Sequence, residues 1–244
     1  MLEKFIYVLK RPEKVARRDF VAELMKAGEE MSALSPAGLR LNVQDAGVDW
    51  GDAVEHHPAL GRSSPDGPFE ALVQVWLETG ADAKLTRLQA IIQRVAPEIH
   101  GYAVEERLLV HNLLQKAGPG ERNDGYSQVA MLQVPEKLPY EAWRSRWQDR
   151  HTWVALSIHP HLEYIQNVVT RPLSDACAPI AGFGEEAFPI VGLHDERPLF
   201  RGADDDDTYK RLYQVMYEDA ARFIDFDRLD MMVSSQFDLL PPER

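Results

Sequence analysis

Trp143, Trp147, His151 and Val154 stand at i, i+4, i+8 and i+11, a spacing that places all four on one face of a helix. An imidazole beside two indoles sits in an apolar setting that favours its neutral form, and a neutral imidazole is a competent general base near neutral pH. The indoles would stack on an aromatic ring. The alternative role for His151 is a core histidine satisfied by a backbone carbonyl. Tyr164, Gln166 and Asn167 follow in the next apolar run, where strand alternation sends Tyr164 and Gln166 to one face and Asn167 to the other. Whichever set faces the helix could polarise a substrate oxygen, although cross-strand pairing accounts for these residues equally well. Tyr140, just after Pro139, either fixes the chain's entry into the helix or joins the indoles at the ring.

Other residues invite chemistry and lack its companions. His159-Pro160-His161, His56-His57 and His194-Asp195-Glu196 each offer part of a metal site with no further ligand at a recognisable spacing, so no metal is expected. Asp204 to Asp207 lacks the glycine and terminal glutamate of a calcium loop and suits the positive end of a following helix. Glu218, Asp219 and Asp225 are potential acids or bases that a surface helix end explains more simply. Cys177 has no basic neighbour in its loop to activate a thiolate and reads as a small buried side chain. No G-x-G-x-x-G, Walker A, HExxH or G-x-S-x-G pattern occurs, which leaves cofactor-free chemistry as the expectation.

The elements that must position these residues recur once along the 244 residues. Apolar runs and their breakers predict strand 5–9, helix 17–31, strand 39–43, strand 69–78, helix 84–95 and strand 106–112. A second set follows: strand 127–135, helix 139–156, strand 162–169, strand 188–196, helix 208–224 and strand 229–237. Pro12 and Pro135, Phe20 and Trp143, Leu24 and Trp147, and Leu39 and Leu162 are each separated by 123 residues, so the two halves share a register. The boundaries are 1–117, a Gly- and Pro-rich linker at 118–125, and 126–244, while the length and Gly and Pro content of the loop 46–68 allow a lid without requiring one. A βαββαβ unit leaves one sheet face bare, and two such faces on one chain can cover each other. The predicted fold is therefore α+β, with two tandem ferredoxin-like units whose antiparallel sheets pack as an intrachain barrel.

Composition narrows the partners. An apolar content of 45% with 27% charged residues is ordinary globular usage. A net charge of −12 repels phosphate backbones and anionic membrane surfaces, so nucleic acid and membrane are poor partners. A single cysteine, with no signal-peptide pattern and no long apolar run, fits a reducing cytoplasm.

Residues 138–171 resemble the EthD family of the dimeric α-β barrel superfamily: Trp143 lies four positions before Trp147, His151 has the family's Trp-to-His spacing, and the strand Tyr164-Ile165-Gln166-Asn167 follows. Tyr217-Glu218-Asp219 to Phe223-Ile224-Asp225 is similar to the family's acidic-then-Phe-Ile-Asp helix end, and the likeness spans roughly 126–240. The first half departs from it, with Gly28 at the partner position of His151 and Leu24 at that of Trp147, so any site is expected in the second half. The resemblance implies a pocket between helices and sheet in each unit and a hydrophobic, aromatic substrate. Together these readings point to a cofactor-independent lyase, dehydratase or decarboxylase, with His151 moving a proton and Tyr164 assisting. The alternatives are an oxygenase, cofactor-free or using haem, and a non-catalytic binding protein. A homodimer is compatible with the superfamily.

Overall fold

The computed structural model describes residues 1–48, 67–112 and 117–242. The loop 46–68, apart from its ends, and His56-His57 lie outside the described residues. The first half runs β1 (Leu2–Leu9), α1 (Arg17–Ser32), β2 (Gly38–Val43), β3 (Ala71–Glu78), α2 (Asp82–Val95) and β4 (Ile99–Val110). In the second half β5 (Tyr126–Leu132) leads into α3, which is built of three segments, Tyr140–Ser145, a π turn Arg146–His151, and Thr152–Ile158. Then come β6 (Glu163–Pro172), β7 (Gly182–Phe188), α4 (Asp206–Ala220) and β8 (Asp230–Leu240).

The eight strands form a closed barrel in the order β1-β3-β2-β8-β5-β7-β6-β4, with antiparallel pairing throughout. Strand order within the halves is β4-β1-β3-β2 and β8-β5-β7-β6, and the seams are β2 on β8 and β4 on β6. Alternation along each strand then separates two environments. Phe5, Tyr7 and Leu9 of β1 pack outward against Phe20, Leu24 and Ile92 of the helices, whereas Ile6 and Val8 point inward to Tyr102, Phe183 and Met232.

Part of the barrel interior is ionic. Arg40 is bidentate to Asp238 (2.7 and 3.3 Å) and to Glu163 (2.6 and 3.3 Å), with every partner buried. Lys4 reaches Glu106 at 2.6 Å and Glu185 at 3.4 Å. Both groups of charges join the two halves across the lumen, where a missing partner would leave an uncompensated charge. The expected linker is also pinned: Gly120 and Asn123 donate backbone hydrogen bonds to Asp238 and Gln236 of β8.

One expected strand is misplaced. The third strand of the second half is 182–188, not 188–196, and the chain beyond it turns into short 3-10 segments at Ile190–Leu193 and Arg197–Leu199. Its sequence, GFGEEAF, has poor strand propensity, and tertiary contacts override it. Strand β4 also begins at Ile99, seven residues ahead of the apolar run that announced it. The acidic run caps α4 as its charge suggests, with the Asp205 carboxylate accepting from Thr208 N–H at 2.8 Å.

Candidate active site

Between α3, α4 and the outer face of the second sheet lies a cavity of about 190 Å³. Its floor comes from residues of β5 and β7, among them Gln128, Ala130, Gly184 and Glu186, and its walls are mainly aromatic and apolar, including Trp147, Phe188, Phe200 and Phe223. Glycine makes this arrangement feasible. A Cβ on Gly182 would sit 2.5 Å from the Trp147 ring and 3.2 Å from that of Trp143, so only a bare backbone lets both indoles lie on the sheet. At Gly184 a Cβ would meet nothing nearer than 3.9 Å, and the space above it belongs to the cavity.

His151 is the last residue of the π turn in α3 and lines this cavity. The wider turn carries one extra residue and shifts the helical phase beyond it, a local device common at functional sites. The ring lies 4.8 Å from that of Phe223, and Nδ1 is 3.1 Å from Asp219 Oδ2 on α4. Arg150 Nε donates to the other Asp219 oxygen at 2.6 Å. The hydrogen bond from His151 is the main reason the Asp219 carboxyl sits below its ordinary range; burial pulls it the other way, and Arg150 reinforces the lowering. A carboxylate on Nδ1 fixes the Nδ1–H tautomer, leaves a lone pair on Nε2 and stabilises the imidazolium that forms when Nε2 takes a proton.

A second polar group occupies the sheet side. His161 donates from Nε2 to Glu186 Oε1 at 3.0 Å, and its ring is stacked on Tyr164 at 4.8 Å and 11°. Burial would raise the Glu186 carboxyl, but the hydrogen bond from His161 outweighs it and the group is held at about 2. His159 bonds through Nδ1 to the Leu199 carbonyl, and burial pushes its pKa down, which keeps it neutral. With a carbonyl rather than a carboxylate behind it, His159 is less suited than His151 to carry a positive charge.

The expected site residues separate into two sets. His151, Trp147 and Tyr164 line the cavity. Trp143 is fully buried behind Trp147, its ring 5.2 Å away, and Tyr140 lies half-exposed against Trp143 at 5.6 Å. Gln166 shares the helix-facing side with Tyr164 but is buried beneath it, its amide donating to Tyr164 Oη at 2.9 Å and Thr152 Oγ1 at 3.0 Å. Burial, then the Glu186 charge, pushes the Tyr164 hydroxyl up, so it stays protonated within this cluster. Asn167 faces the barrel interior and donates to Glu185 at 2.6 Å. Direct contact with a cavity ligand is thus corrected for Trp143, Gln166, Asn167 and Tyr140, because packing or strand alternation turns each elsewhere. Sequence reasoning did not find Glu186, and it considered Asp219, His159 and His161 without pairing them correctly. Only the His-Pro-His triplet signalled any of this, since the partners come from distant elements.

The corresponding space in the first half is filled. Gly28, at the partner position of His151, is covered by Leu239 and Leu41: a Cβ there would lie 2.4 Å from one and 3.1 Å from the other. Phe20, Leu24, Met31 and Ile92 complete that packing, so the position equivalent to His151 lies in packed core; the first half instead has a cleft between α1 and the end of α2, lined by Glu23, Lys26, Glu30 and Arg94 among others. Among the described residues, no cluster of three or more His, Cys, Asp or Glu is arranged to hold a metal, and no helix is long and apolar enough to cross a membrane. The lining does not suit haem: Glu186 and Glu196 line the cavity, and no described lining residue is Lys or Arg to meet two propionates.

A closed antiparallel barrel carrying helices on its outside, with a cavity between helices and sheet, has the form of the dimeric α-β barrel fold. One solved structure agrees at the level of fold. The whole chain aligns with 96% of an anthrone oxidase-like protein at a TM-score of 0.54 and 10% identity. A protein assigned as a monooxygenase from Lactobacillus acidophilus NCFM aligns over 98% of this chain and 94% of its own at 0.47 and 12%. One assigned as a chlorite dismutase aligns over 98% and 95% at 0.49 and 10%. No family model and no curated protein matches the chain.

Proposed function

We propose that this chain is a cofactor-independent enzyme that removes a proton from a hydrophobic aromatic compound. The observation that carries the reading is His151: its Nδ1 is engaged by Asp219, and the residue lines a predominantly aromatic cavity. Nε2 would take the proton from an acidic C–H, leaving the bonding pair delocalised in the ring system as an enolate-type anion. The Asp219 carboxylate would stabilise the imidazolium, and Trp147 would bind the ring face. Tyr164 acts as a positioning residue that stacks on His161. Elimination from the anion, with the proton returned to the leaving group, would make the enzyme a lyase or dehydratase.

Addition of the anion to O₂ through electron transfer and C–O bond formation, return of the His151 proton to give a hydroperoxide, and loss of water to leave a ketone would instead make it a cofactor-free oxygenase. This second reading is favoured by the full-length likeness in fold to an anthrone oxidase-like protein. We also read the halves as tandem ferredoxin-like units, the second EthD-like. Their common strand order and the meeting of Arg40 with Glu163, exactly one repeat apart at 123 residues, support the duplication.

Anthrone, which has an acidic methylene, tests both branches when incubated with wild type and His151→Ala while oxygen uptake and product formation are followed. Oxygen uptake dependent on His151 supports the oxygenase branch, and proton removal without oxygen uptake supports the lyase. Binding without either, unchanged by the substitution, would make the protein a carrier.

A further inference from the structure

We propose that the Glu186 wall makes the cavity selective for neutral aromatic ligands bearing a hydroxyl group and hostile to aromatic carboxylates. This inference deepens the functional reading above and uses the same cavity. Glu186 is on the outer face of β7, in register with Gln128 of β5 and Tyr164 of β6, so a polar row crosses an otherwise apolar floor. Its Oε1 accepts from His161, while Oε2 makes no hydrogen bond among the described residues. The His161 side chain is 1% exposed and the Glu186 side chain 19%, so the imidazole is sealed in the wall and the carboxylate opens onto the cavity.

A ligand hydroxyl donating to that carboxylate forms a charge-assisted hydrogen bond away from bulk water. A ligand carboxylate would meet Glu186, with Glu196 also on the lining; the two imidazoles of the lining are engaged through Nδ1, His151 by Asp219 and His159 by the Leu199 carbonyl, and no described Lys or Arg is there to compensate, so the ligand would lose its hydration as well. The net charge of −12 opposes anions on approach too. Decarboxylation consequently drops out of the reactions considered for this site.

The test is isothermal titration of wild type, Glu186→Gln and Glu186→Asp with 2-naphthol and 2-naphthoate at pH 7, with circular dichroism confirming that each variant is folded. We expect wild type to prefer naphthol by about 100-fold, since a like-charge contact in a desolvated site costs several kcal/mol. Glu186→Gln should weaken naphthol by about 10-fold while admitting naphthoate. Glu186→Asp should keep the rejection of naphthoate, because it keeps the charge. Naphthoate binding as tightly as naphthol, binding of neither probe, or selectivity untouched by Glu186→Gln would overturn the proposal. Binding is read independently of turnover: selectivity without proton removal from anthrone would sink the catalytic reading and leave this one standing.

Discussion

His151 and Asp219 act as a unit, and their substitutions should differ in kind. His151→Ala removes the proton acceptor and should lower turnover by roughly 10²- to 10⁴-fold while thermal stability is retained. Asp219→Asn keeps the shape but weakens support for the imidazolium; we expect a smaller loss, about 10- to 100-fold, in turnover. Glu186 makes a prediction about folding. The folded chain holds its carboxyl at about 2 against an ordinary 4.5, so between those values the unfolded chain binds more protons. Stability should therefore fall as pH drops from 4.5 toward 2, by about 3 kcal/mol in total. Glu186→Gln should flatten that portion of the curve in urea titrations. At this scale the helical spacing and the family resemblance pointed to His151 and Trp147 on the cavity lining, while strand alternation did not decide whether Tyr164 faced it. The roles of Asp219 and Glu186 were not legible, since they depend on α4 and β7 arriving from other parts of the chain.

Among the elements, α3 and β7 depend on each other. The apolar periodicity of α3 was strong enough to locate the helix, yet the π turn at Arg146–His151 has no counterpart in a hydrophobic pattern. Strand β7 was hidden because the properties that suit it to the site, glycines beneath the indoles and glutamates bonded to distant partners, are those that weaken a strand signal. Gly182→Ala would place a methyl 2.5 Å from Trp147, and we expect a destabilisation of about 1–3 kcal/mol by overpacking, measured as a lower midpoint in urea. Gly184→Val, directed into the cavity, should abolish 2-naphthol binding in titration calorimetry while costing much less stability, because its Cβ has 3.9 Å of clearance.

For the whole molecule, the barrel joins the two halves into one folding unit. The repeat at 123 residues announced a paired architecture, but the residues that join it were silent: Arg40, Glu163 and Asp238 look like solvated charges in a sequence and are buried in the lumen. Arg40→Ala removes the guanidinium that Glu163 and Asp238 share in the lumen and should cost about 3–5 kcal/mol, with both halves unfolding in a single transition by fluorescence and circular dichroism. The first half filled its equivalent space with aliphatic side chains, and the second kept a cavity walled by aromatic rings, with His151 on one helix. Proton transfer by that residue is the central claim, and ¹H NMR of the anthrone methylene in D₂O tests it most directly. We predict that wild type exchanges the methylene protons with solvent well above the buffer rate and that His151→Ala returns exchange to that rate; exchange equally fast in both proteins, or no faster than buffer in wild type, would contradict the account.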